Sequence, residues 1–231
     1  MHHEKARAPL VALHNISFTA LNTAIVKRFS YQFFEGTVSA ITGGAGSGKS
    51  TVLKLAAGLL VPHEGSAFYR GRDIAAMNKK ENLNFRRESG FVFQDSALWA
   101  NQSIYQILEL PLRVHFPAMT ETMRKKKIAA ALAGLGWTKE WDLRPDRLSM
   151  GEQKLIAFTR AVICDPKLLF LDEWTESLDE LSVEKLFNMV QRYKAEGRTI
   201  IFVSHDPVIT KSLADFVLIV NNGVLEENNA F

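Results

Sequence analysis

The pattern of apolar and polar positions predicts a strand-rich first part of the chain. Two segments alternate partly between apolar and polar residues, and three further segments are short and mostly apolar or aromatic. The predicted strands cover residues 11–20, 24–34, 37–42, 65–70 and 90–94. The segment TVLKLAAGLL, which follows Ser50, has helical spacing instead. We therefore expect the first part to be mainly β, with one helix.

The rest of the chain predicts a helical segment followed by alternating strands and helices. Residues 100–136 have apolar positions at helical spacing, and we expect Pro111 and Pro117 to break this run. After Gly151 the predicted order is a helix to about Cys164, strand 168–172, helix 180–195, strand 199–204, a helix after Pro207, strand 216–220 and, after the Asn222-Gly223 turn, a last strand. This alternation is typical of an α/β fold with a mostly parallel sheet flanked by helices.

The strongest chemical signal is the segment GGAGSGKS, which matches the phosphate-binding pattern G-x-x-x-x-G-K-[ST] between a predicted strand and a predicted helix. Glycines allow consecutive backbone N–H groups to converge on one anion, and the helix N-terminus adds positive potential. Lys49 can reach the β- and γ-phosphates, and the Ser50 hydroxyl can ligate magnesium. The predicted nucleotide-binding residues here are Gly43, Gly44, Ala45, Gly46, Ser47, Gly48, Lys49, Ser50 and Thr51, with Lys49 also catalytic.

Two carboxylates follow the apolar run of LLFLDE. Ligands of open α/β sheets bind at the carboxyl ends of the strands. We predict that Asp172 holds magnesium and that Glu173 orients or deprotonates the water that attacks the γ-phosphate. Two acids after a strand are weak evidence alone, because a solvent-facing turn would also contain them. The phosphate-loop pattern makes them strong evidence.

Two other segments have both a structural and a functional interpretation. In LSMGEQ, Ser149 and Glu152 have the spacing of a capping box at a helix N-terminus, which is the structural interpretation. His205 in FVSHD comes directly after an apolar strand. A single histidine is usually structural or solvated, but this position in a chain with a nucleotide site favours a functional role.

Composition limits the remaining choices. With 231 residues and 47% hydrophobic residues, the chain can form a substantial core, and a net charge of +3 does not argue for nucleic acid as a partner. The single cysteine, Cys164, excludes an internal disulfide framework and suits a cytosolic setting. We find no signal-peptide pattern and no run of about 20 apolar residues. Membrane action would therefore require a partner that supplies the spans.

Taken in order, the motifs resemble those of the nucleotide-binding subunit of ATP-binding cassette (ABC) transporters. The resemblance extends from about Leu10 to Gly223 and rests on GGAGSGKST, FVFQD, LSMGEQ, LLFLDE, SLD and SHD. It implies an ABC ATPase fold of the P-loop NTPase class in a single domain over residues 1–231. Core and antiparallel β subdomain would cover 1–95 and 165–231, and an inserted α-helical subdomain would cover about 96–164.

The resemblance also implies roles for particular residues with ATP and Mg2+. Gln94 would contact the metal at the nucleotide site and the attacking water, and would link the site to the helical subdomain. His205 would contact the γ-phosphate as a catalytic residue beside Glu173. A homodimer would place the signature segment of one subunit against the ATP of the other. The residues that would act at this dimer interface are Ser149, Gly151, Gln153 and Asp179.

The implied partners are a second copy of the chain and an integral membrane permease, with the ATPase in the cytoplasm and peripheral on the inner face of the membrane. A permease helix would dock near residues 95–116, where Trp99, Ile104, Tyr105 and Phe116 supply either apolar docking surface or subdomain core. The FVFQDSALWANQSI stretch most resembles the ATPases of bacterial MCE-type (Mla-like) lipid transporters. A cell-division ATPase that regulates peptidoglycan hydrolysis and a small-solute transporter ATPase remain alternatives.

The sequence departs from the family pattern at several positions. Met150 replaces a signature glycine, Trp174 replaces the proline after the catalytic glutamate, and Glu176 and Ser177 depart from the common TSALD pattern. Ala20 stands near the usual adenine-stacking aromatic, for which Phe18 could substitute. Met150 and Trp174 motivate a further alternative, an ATP-dependent scaffold that does not hydrolyse ATP. A DNA-repair or chromosome-organising ATPase is disfavoured, because it needs a long coiled coil before the signature.

Overall fold

A computed structural model describes the backbone of residues 8–230 and the side chains of residues 8–226. The chain divides into two compact units. The first consists of residues up to 82 together with those from 194 onward, and the second consists of residues 83–193. The strands are β1 Pro9–Ala20, β2 Thr23–Phe34, β3 Val38–Thr42, β4 Glu64–Tyr69, β5 Arg72–Asp73, β6 Ser89–Val92, β7 Leu168–Asp172, β8 Thr199–Val203, β9 Phe216–Asn221 and β10 Val224–Ala230. The α-helices are α1 Lys49–Ala56, α2 Lys79–Glu88, α3 Ile104–His115, α4 Glu121–Gly134, α5 Met150–Val162, α6 Glu180–Ala195 and α7 Pro207–Leu213.

The first unit contains one antiparallel sheet and one mainly parallel group of strands. The antiparallel sheet has the order β2-β1-β4-β5. In the second group β3 is parallel to both β8 and β9, and β10 pairs antiparallel with β9. Strand β8 is buried at all five positions. Since β3 is central and leads into residues 43–48, the phosphate-loop segment starts from a rigid strand.

The second unit combines a short parallel pair with helices. Strands β6 and β7 are parallel, with Ser89 opposite Leu168 and Val92 opposite Leu171. All five residues of β7 are buried. Helix α5 packs against β6 so closely that a side chain at Gly90 would lie 2.4 Å from the Ala161 carbonyl oxygen. This packing fixes the segment that follows β6, which contains Gln94.

The predicted elements are present in the structure, and the main differences concern Pro111, helix α2 and the two-residue strand β5, which was not predicted. Pro111 does not break the helical run: it lies inside α3, and the helix ends at His115, before Pro117. Helix α2 was not predicted, because KKENLNFRRE is strongly polar and buries only Phe85. Among the described residues, no helix combines the length and the apolar character that crossing a membrane requires.

Candidate functional site

The phosphate-loop segment has a backbone that requires glycine at two of its fixed positions. Gly43 has φ 140° and Gly48 has φ 101°, which is the left-handed region. A Cβ atom at Gly43 would lie 2.1 Å from the Val220 carbonyl oxygen, and one at Gly48 would lie 2.8 Å from the Ile25 carbonyl oxygen. The loop therefore packs against neighbouring backbone on both sides, and its conformation is fixed by sterics.

This geometry predicts different effects for two adjacent glycine substitutions. Gly43→Ala should lower the free energy of unfolding by about 2–4 kcal/mol, because both the left-handed φ and the Val220 carbonyl exclude a Cβ. Gly44→Ala is the matched control, since nothing lies within 4 Å of its Cβ position. It should change stability by less than about 1 kcal/mol. Urea unfolding of both variants measures the difference, and equal losses would contradict the proposed cause.

The side chains of Lys49 and Ser47 place an ammonium group and a hydroxyl group at this loop. Lys49 is 5% exposed, begins α1, and donates from Nζ to the Gly44 carbonyl oxygen at 2.8 Å. The Ser47 hydroxyl is buried and has no hydrogen-bond partner among the described residues. The N-cap of α1 is Gly48, whose lack of a side chain leaves the helix N-terminus without a side-chain cap. An anion at this position would accept hydrogen bonds from the donor groups of the loop.

His205 lies at the same edge of the first unit as the phosphate-loop segment. Ile41 of β3 is opposite Val203 of β8 in a parallel pair, so the chain leaves both strands at one edge. Gly43 and His205 line one cavity of about 450 Å³, together with Thr42, Ser204, Pro207, Thr210, Lys211 and Val217. His205 is exposed. The structure therefore brings these two predicted site residues together.

Asp206 explains the sharp turn that presents His205. Its carboxylate caps α7 and accepts from the N–H groups of Val208, at 2.7 Å, and Ile209, at 3.2 Å. The Asp206 N–H in turn donates to Ser204 Oγ at 3.0 Å. Helix α7 therefore starts at Pro207, two residues after the histidine, and the carboxylate of Asp206 has a structural role as its N-cap.

The two carboxylates of the second unit lie at the carboxyl end of β7. Asp172 is 1% exposed and Glu173 is 7% exposed. Glu173 has φ 42°, which is unusual for a non-glycine residue. Trp174 is fully buried, and its indole Nε1 has no hydrogen-bond partner among the described residues. A strained backbone beside a large buried side chain is typical of a segment whose position matters for function.

The segment after β6 is held by a buried lysine from α5. Lys154 is 3% exposed, and its Nζ donates to the Phe93 carbonyl oxygen at 3.2 Å and also to the Gln94 carbonyl oxygen. Burial lowers the pKa of Lys154, and the negative charges of Asp95, Glu176 and Asp172 oppose that shift. The two carbonyl oxygens therefore provide hydrogen bonds for the buried ammonium.

Arg160 and Glu176 hold two other parts of the same segment. The Arg160 guanidinium donates to the carbonyl oxygens of Ala97, at 2.6 Å, and Ser96, at 3.1 Å. The Gln94 side chain donates from Nε2 to Glu176 Oε2 at 2.6 Å. Gln94 is therefore fixed through both its backbone and its amide.

The LSMGEQ segment forms the predicted capping box. The Glu152 N–H donates to Ser149 Oγ at 3.2 Å, and the Ser149 N–H donates to Glu152 Oε2 at 2.9 Å. Gln153 Nε2 donates to the Leu148 carbonyl oxygen at 3.2 Å. Met150 is 64% exposed at the first turn of α5. The structural interpretation of Ser149 is confirmed, and its proposed contact with nucleotide stays a prediction.

Gly151 brings the SLD segment against the start of α5. A Cβ at Gly151 would lie 2.2 Å from Ser182 Oγ and 3.0 Å from Asp179 Oδ2. Asp179 accepts from the Ser182 N–H at 2.9 Å and from the Ser182 hydroxyl at 2.7 Å. These hydrogen bonds lower the pKa of Asp179. Two of the predicted interface residues, Gly151 and Asp179, are therefore in contact within the second unit.

The capping box should contribute a pH-dependent part of the stability. The ion pair with Lys139, at 2.6 Å, and the Ser149 N–H lower the pKa of Glu152 from its ordinary value of 4.5. The contribution is therefore present above pH 4.5 and is lost as the pH falls through the lower folded-state pKa. We expect Glu152→Gln to cost about 0.5–1.5 kcal/mol at neutral pH, with the difference shrinking in acid. Thermal unfolding from pH 7 down to pH 3 tests this, and a difference independent of pH would contradict it.

A protein-family model described as ABC transporter matches residues 26–176, which is well over half of the chain. The chain belongs to the ABC transporter family.

Curated relatives within the ABC transporter family differ in what their names say they transport. The methionine import ATP-binding protein MetN of Chlamydia pneumoniae is 27% identical over 95% of this chain and 65% of its own length. The intermembrane phospholipid transport system ATP-binding protein MlaF of Haemophilus influenzae is 30% identical over 91% of this chain and 80% of its own length. The chain thus spans less than two thirds of the length of that methionine-import relative.

Solved ABC cassettes have the same fold. A bacterial ABC transporter cassette solved as a dimer has 26% sequence identity and a TM-score of 0.87, over 95% of this chain and 98% of that chain. A second dimeric structure, described as a post-hydrolysis state bound to ADP and Pi, has 25% identity and a TM-score of 0.86. The predicted ABC ATPase fold is therefore confirmed.

Sequence reasoning missed three residues that hold Gln94 and its segment, Lys154, Arg160 and Glu176. Nothing in an ABC motif marks Lys154, and a lysine within an amphipathic helix is normally expected on the solvent side. Glu176 was noticed only as a departure from the usual pattern. Its partner, Gln94, lies 82 positions away along the chain. Only the fold brings the two side chains together.

Proposed function

We propose that this chain is the ATP-binding and ATP-hydrolysing subunit of an ABC transporter. The observation that supports this most strongly is the backbone of the phosphate loop. Gly43 and Gly48 are confined by neighbouring carbonyl groups, and Lys49 follows them at the start of α1. This arrangement, in a chain whose family is shown, suits a nucleoside triphosphate.

The atoms of the loop fit ATP phosphates. The Lys49 Nζ, held by the Gly44 carbonyl, would exchange that neutral acceptor for phosphate oxygens and gain a charge-assisted hydrogen bond. The buried Ser47 hydroxyl would gain the partner it lacks among the described residues. Backbone N–H groups of residues 44–51, at the start of α1, would supply the other donors.

Magnesium fits the available oxygen donors. No cluster of three or more histidine, cysteine, aspartate or glutamate side chains that could hold a metal occurs among the described residues. Mg2+ in nucleotide sites usually has one or two protein oxygens, and phosphates and waters complete its shell. We propose that Ser50, Gln94 and Asp172 would supply hydroxyl, amide and carboxylate oxygens. When bound, the metal would polarise the phosphates and stabilise the charge that develops on them.

We propose roles in hydrolysis for two residues that lie just after the carboxyl ends of buried strands. Glu173, after β7, would accept a proton from the attacking water or orient it. His205, after β8, would donate a hydrogen bond to the γ-phosphate. Both follow strands that are buried along their whole length, which gives their positions the rigidity that catalysis requires.

We further propose that two copies of the chain act together. Ser149, Gly151, Gln153 and Asp179 would contact the triphosphate that the other copy binds. The exposed N-terminus of α5 supports this role, because a helix N-terminus attracts phosphate. Met150, 64% exposed at this end, would then lie at the surface between the copies.

A groove in the second unit suits the permease. It has a volume of about 900 Å³ and is lined by Trp99, Tyr105, Leu110 and a set of polar and charged residues that includes Glu109 and Arg113. Of the side chains expected near this surface, Ile104 is fully buried and therefore belongs to the core. Such an open groove with one aromatic wall would accept a helix of an integral membrane permease. The complex would be peripheral on the cytoplasmic face of the membrane.

For the cargo we propose phospholipid, because the chain covers 80% of the length of the MlaF relative and 65% of the length of the Chlamydia pneumoniae MetN relative. Import of a small solute is the second candidate, because several relatives are named methionine import ATP-binding proteins. The test is purification of the native complex from membranes, followed by mass spectrometry of the co-purifying subunits and lipids. Bound phospholipid on a lipid-type permease is expected. Recovery of a methionine permease or a division-type permease would contradict the lipid proposal.

A further inference from the structure

Glu176 determines which atom of the Gln94 side-chain amide forms a hydrogen bond within the protein. Gln94 Nε2 donates to Glu176 Oε2 at 2.6 Å. An ionised carboxylate can only accept hydrogen bonds, whereas an amide has a donating end and an accepting end. Glu176 therefore selects the nitrogen and leaves the Gln94 amide oxygen available. A serine or an amide at position 176 could donate as well as accept, and would not enforce this choice.

The backbone around Gln94 is held independently of that contact. Lys154, 3% exposed, donates to the carbonyl oxygens of Phe93 and Gln94. Arg160 donates to those of Ser96 and Ala97. Since the main chain is fixed on both sides of Asp95, a change at position 176 should alter the orientation of the Gln94 side chain without displacing its backbone.

The surroundings of this contact are mainly polar, and Glu176 itself is exposed. Gln94, Glu176 and Lys154 line a cavity of about 110 Å³, together with Asp95, Ser96, Met150, Gln153, Ser177 and Leu178. The Lys154 ammonium is near enough to Glu176 and Asp95 to interact with their charges. The same cavity therefore holds a positive charge beside the Glu176 carboxylate.

We propose that Glu176 is a positioning residue that fixes the Gln94 amide with its oxygen free for the magnesium of bound nucleotide. This inference rests on the proposed function, because it assumes that Gln94 is a magnesium ligand. It assigns a role to a position at which the chain departs from the pattern of its family. The cost of losing Glu176 should therefore appear in the contribution of magnesium to nucleotide binding, and not in metal-free binding.

The test is calorimetric titration of the full chain with AMP-PNP, once with excess Mg2+ and once with EDTA. The measured quantity is the factor by which Mg2+ tightens binding. We expect Glu176→Gln to reduce this factor roughly three- to tenfold, because a charge-assisted, orientation-selecting contact is replaced by a neutral one. Binding in EDTA should be unchanged. Glu184→Gln, the same exchange at an exposed position of α6, is the control and should leave both affinities unchanged.

A double substitution distinguishes the positioning role from a general electrostatic effect. Gln94→Ala should itself reduce the Mg2+ factor, and adding Glu176→Gln should reduce it no further. Additive losses, or a Mg2+ factor that Glu176→Gln leaves unchanged, would overturn the inference while leaving the proposed function intact. Failure of the unsubstituted chain to bind AMP-PNP would instead overturn the proposed function, and this inference with it.

Discussion

Glu173→Gln is expected to lower the rate of ATP hydrolysis by at least about 100-fold, because an amide cannot accept the proton of the attacking water. ATP should still bind, since the substitution keeps the size of the side chain and does not touch the phosphate loop. The backbone at φ 42° should also be retained, because both residues have the same steric demand. Phosphate release by the ATPase with its permease measures the rate, and equilibrium binding of ATP measures the affinity.

Two comparisons make the Glu173 result specific. Glu184→Gln, on α6, removes a carboxylate by the same exchange in the same unit and should leave the rate within about twofold, as surface substitutions usually do. Thermal unfolding should show that Glu173→Gln is folded. An unchanged phosphate-release rate in Glu173→Gln would remove Glu173 from the catalytic residues. It would also favour the alternative of an ATP-dependent scaffold.

Lys49→Met is expected to weaken ATP binding roughly 10- to 100-fold and to abolish measurable hydrolysis, because the phosphates lose a charged hydrogen-bond donor. The methionine keeps most of the apolar stem that is buried at the start of α1. The Gly44 carbonyl, which now accepts from Nζ at 2.8 Å, loses that donor, so a stability loss of about 1 kcal/mol should accompany the change.

Lys54→Met is the matched control for Lys49, because it makes the same exchange in the last turn of the same helix. Its ATP affinity should remain within about twofold of the unsubstituted chain. Similar losses in both variants would indicate a general effect of removing positive charge from α1. They would contradict a direct contact between Lys49 and the phosphates.

Much of the fold could be predicted because local patterns and tertiary packing agree. Strand β7 and helix α6 have the predicted bounds, since a short apolar run ends in two carboxylates and an amphipathic segment follows Asp179. Helix α2 could not be predicted, because its polar sequence has no apolar periodicity and a single buried residue, Phe85, anchors it. Pro111 was misjudged because a proline within α3 costs only a local hydrogen bond, and burial of Ile107, Leu108 and Leu112 offsets that loss.

The candidate site also has a part that local motifs predict and a part that depends on the fold. The phosphate loop and the carboxylates after β7 are contiguous motifs, so their chemistry is visible in the sequence. The contacts that hold Gln94 depend on residues up to 82 positions apart, and no local pattern connects them. Lys154 is the clearest case, because its burial at 3% contradicts the usual expectation for lysine. Its two carbonyl acceptors, on Phe93 and Gln94, come within hydrogen-bonding distance of the ammonium only in the folded chain.

The central claim is that two copies of this chain bind ATP between them through the Lys49 loop of one and the Ser149 segment of the other. The most direct test is light scattering of the Glu173→Gln chain, with and without Mg·ATP, combined with quantification of bound nucleotide. We predict a shift from monomer to dimer on ATP addition, with two ATP molecules per dimer, and no shift when Lys49→Met is added. A chain that binds Mg·ATP fully and remains a monomer would contradict the claim.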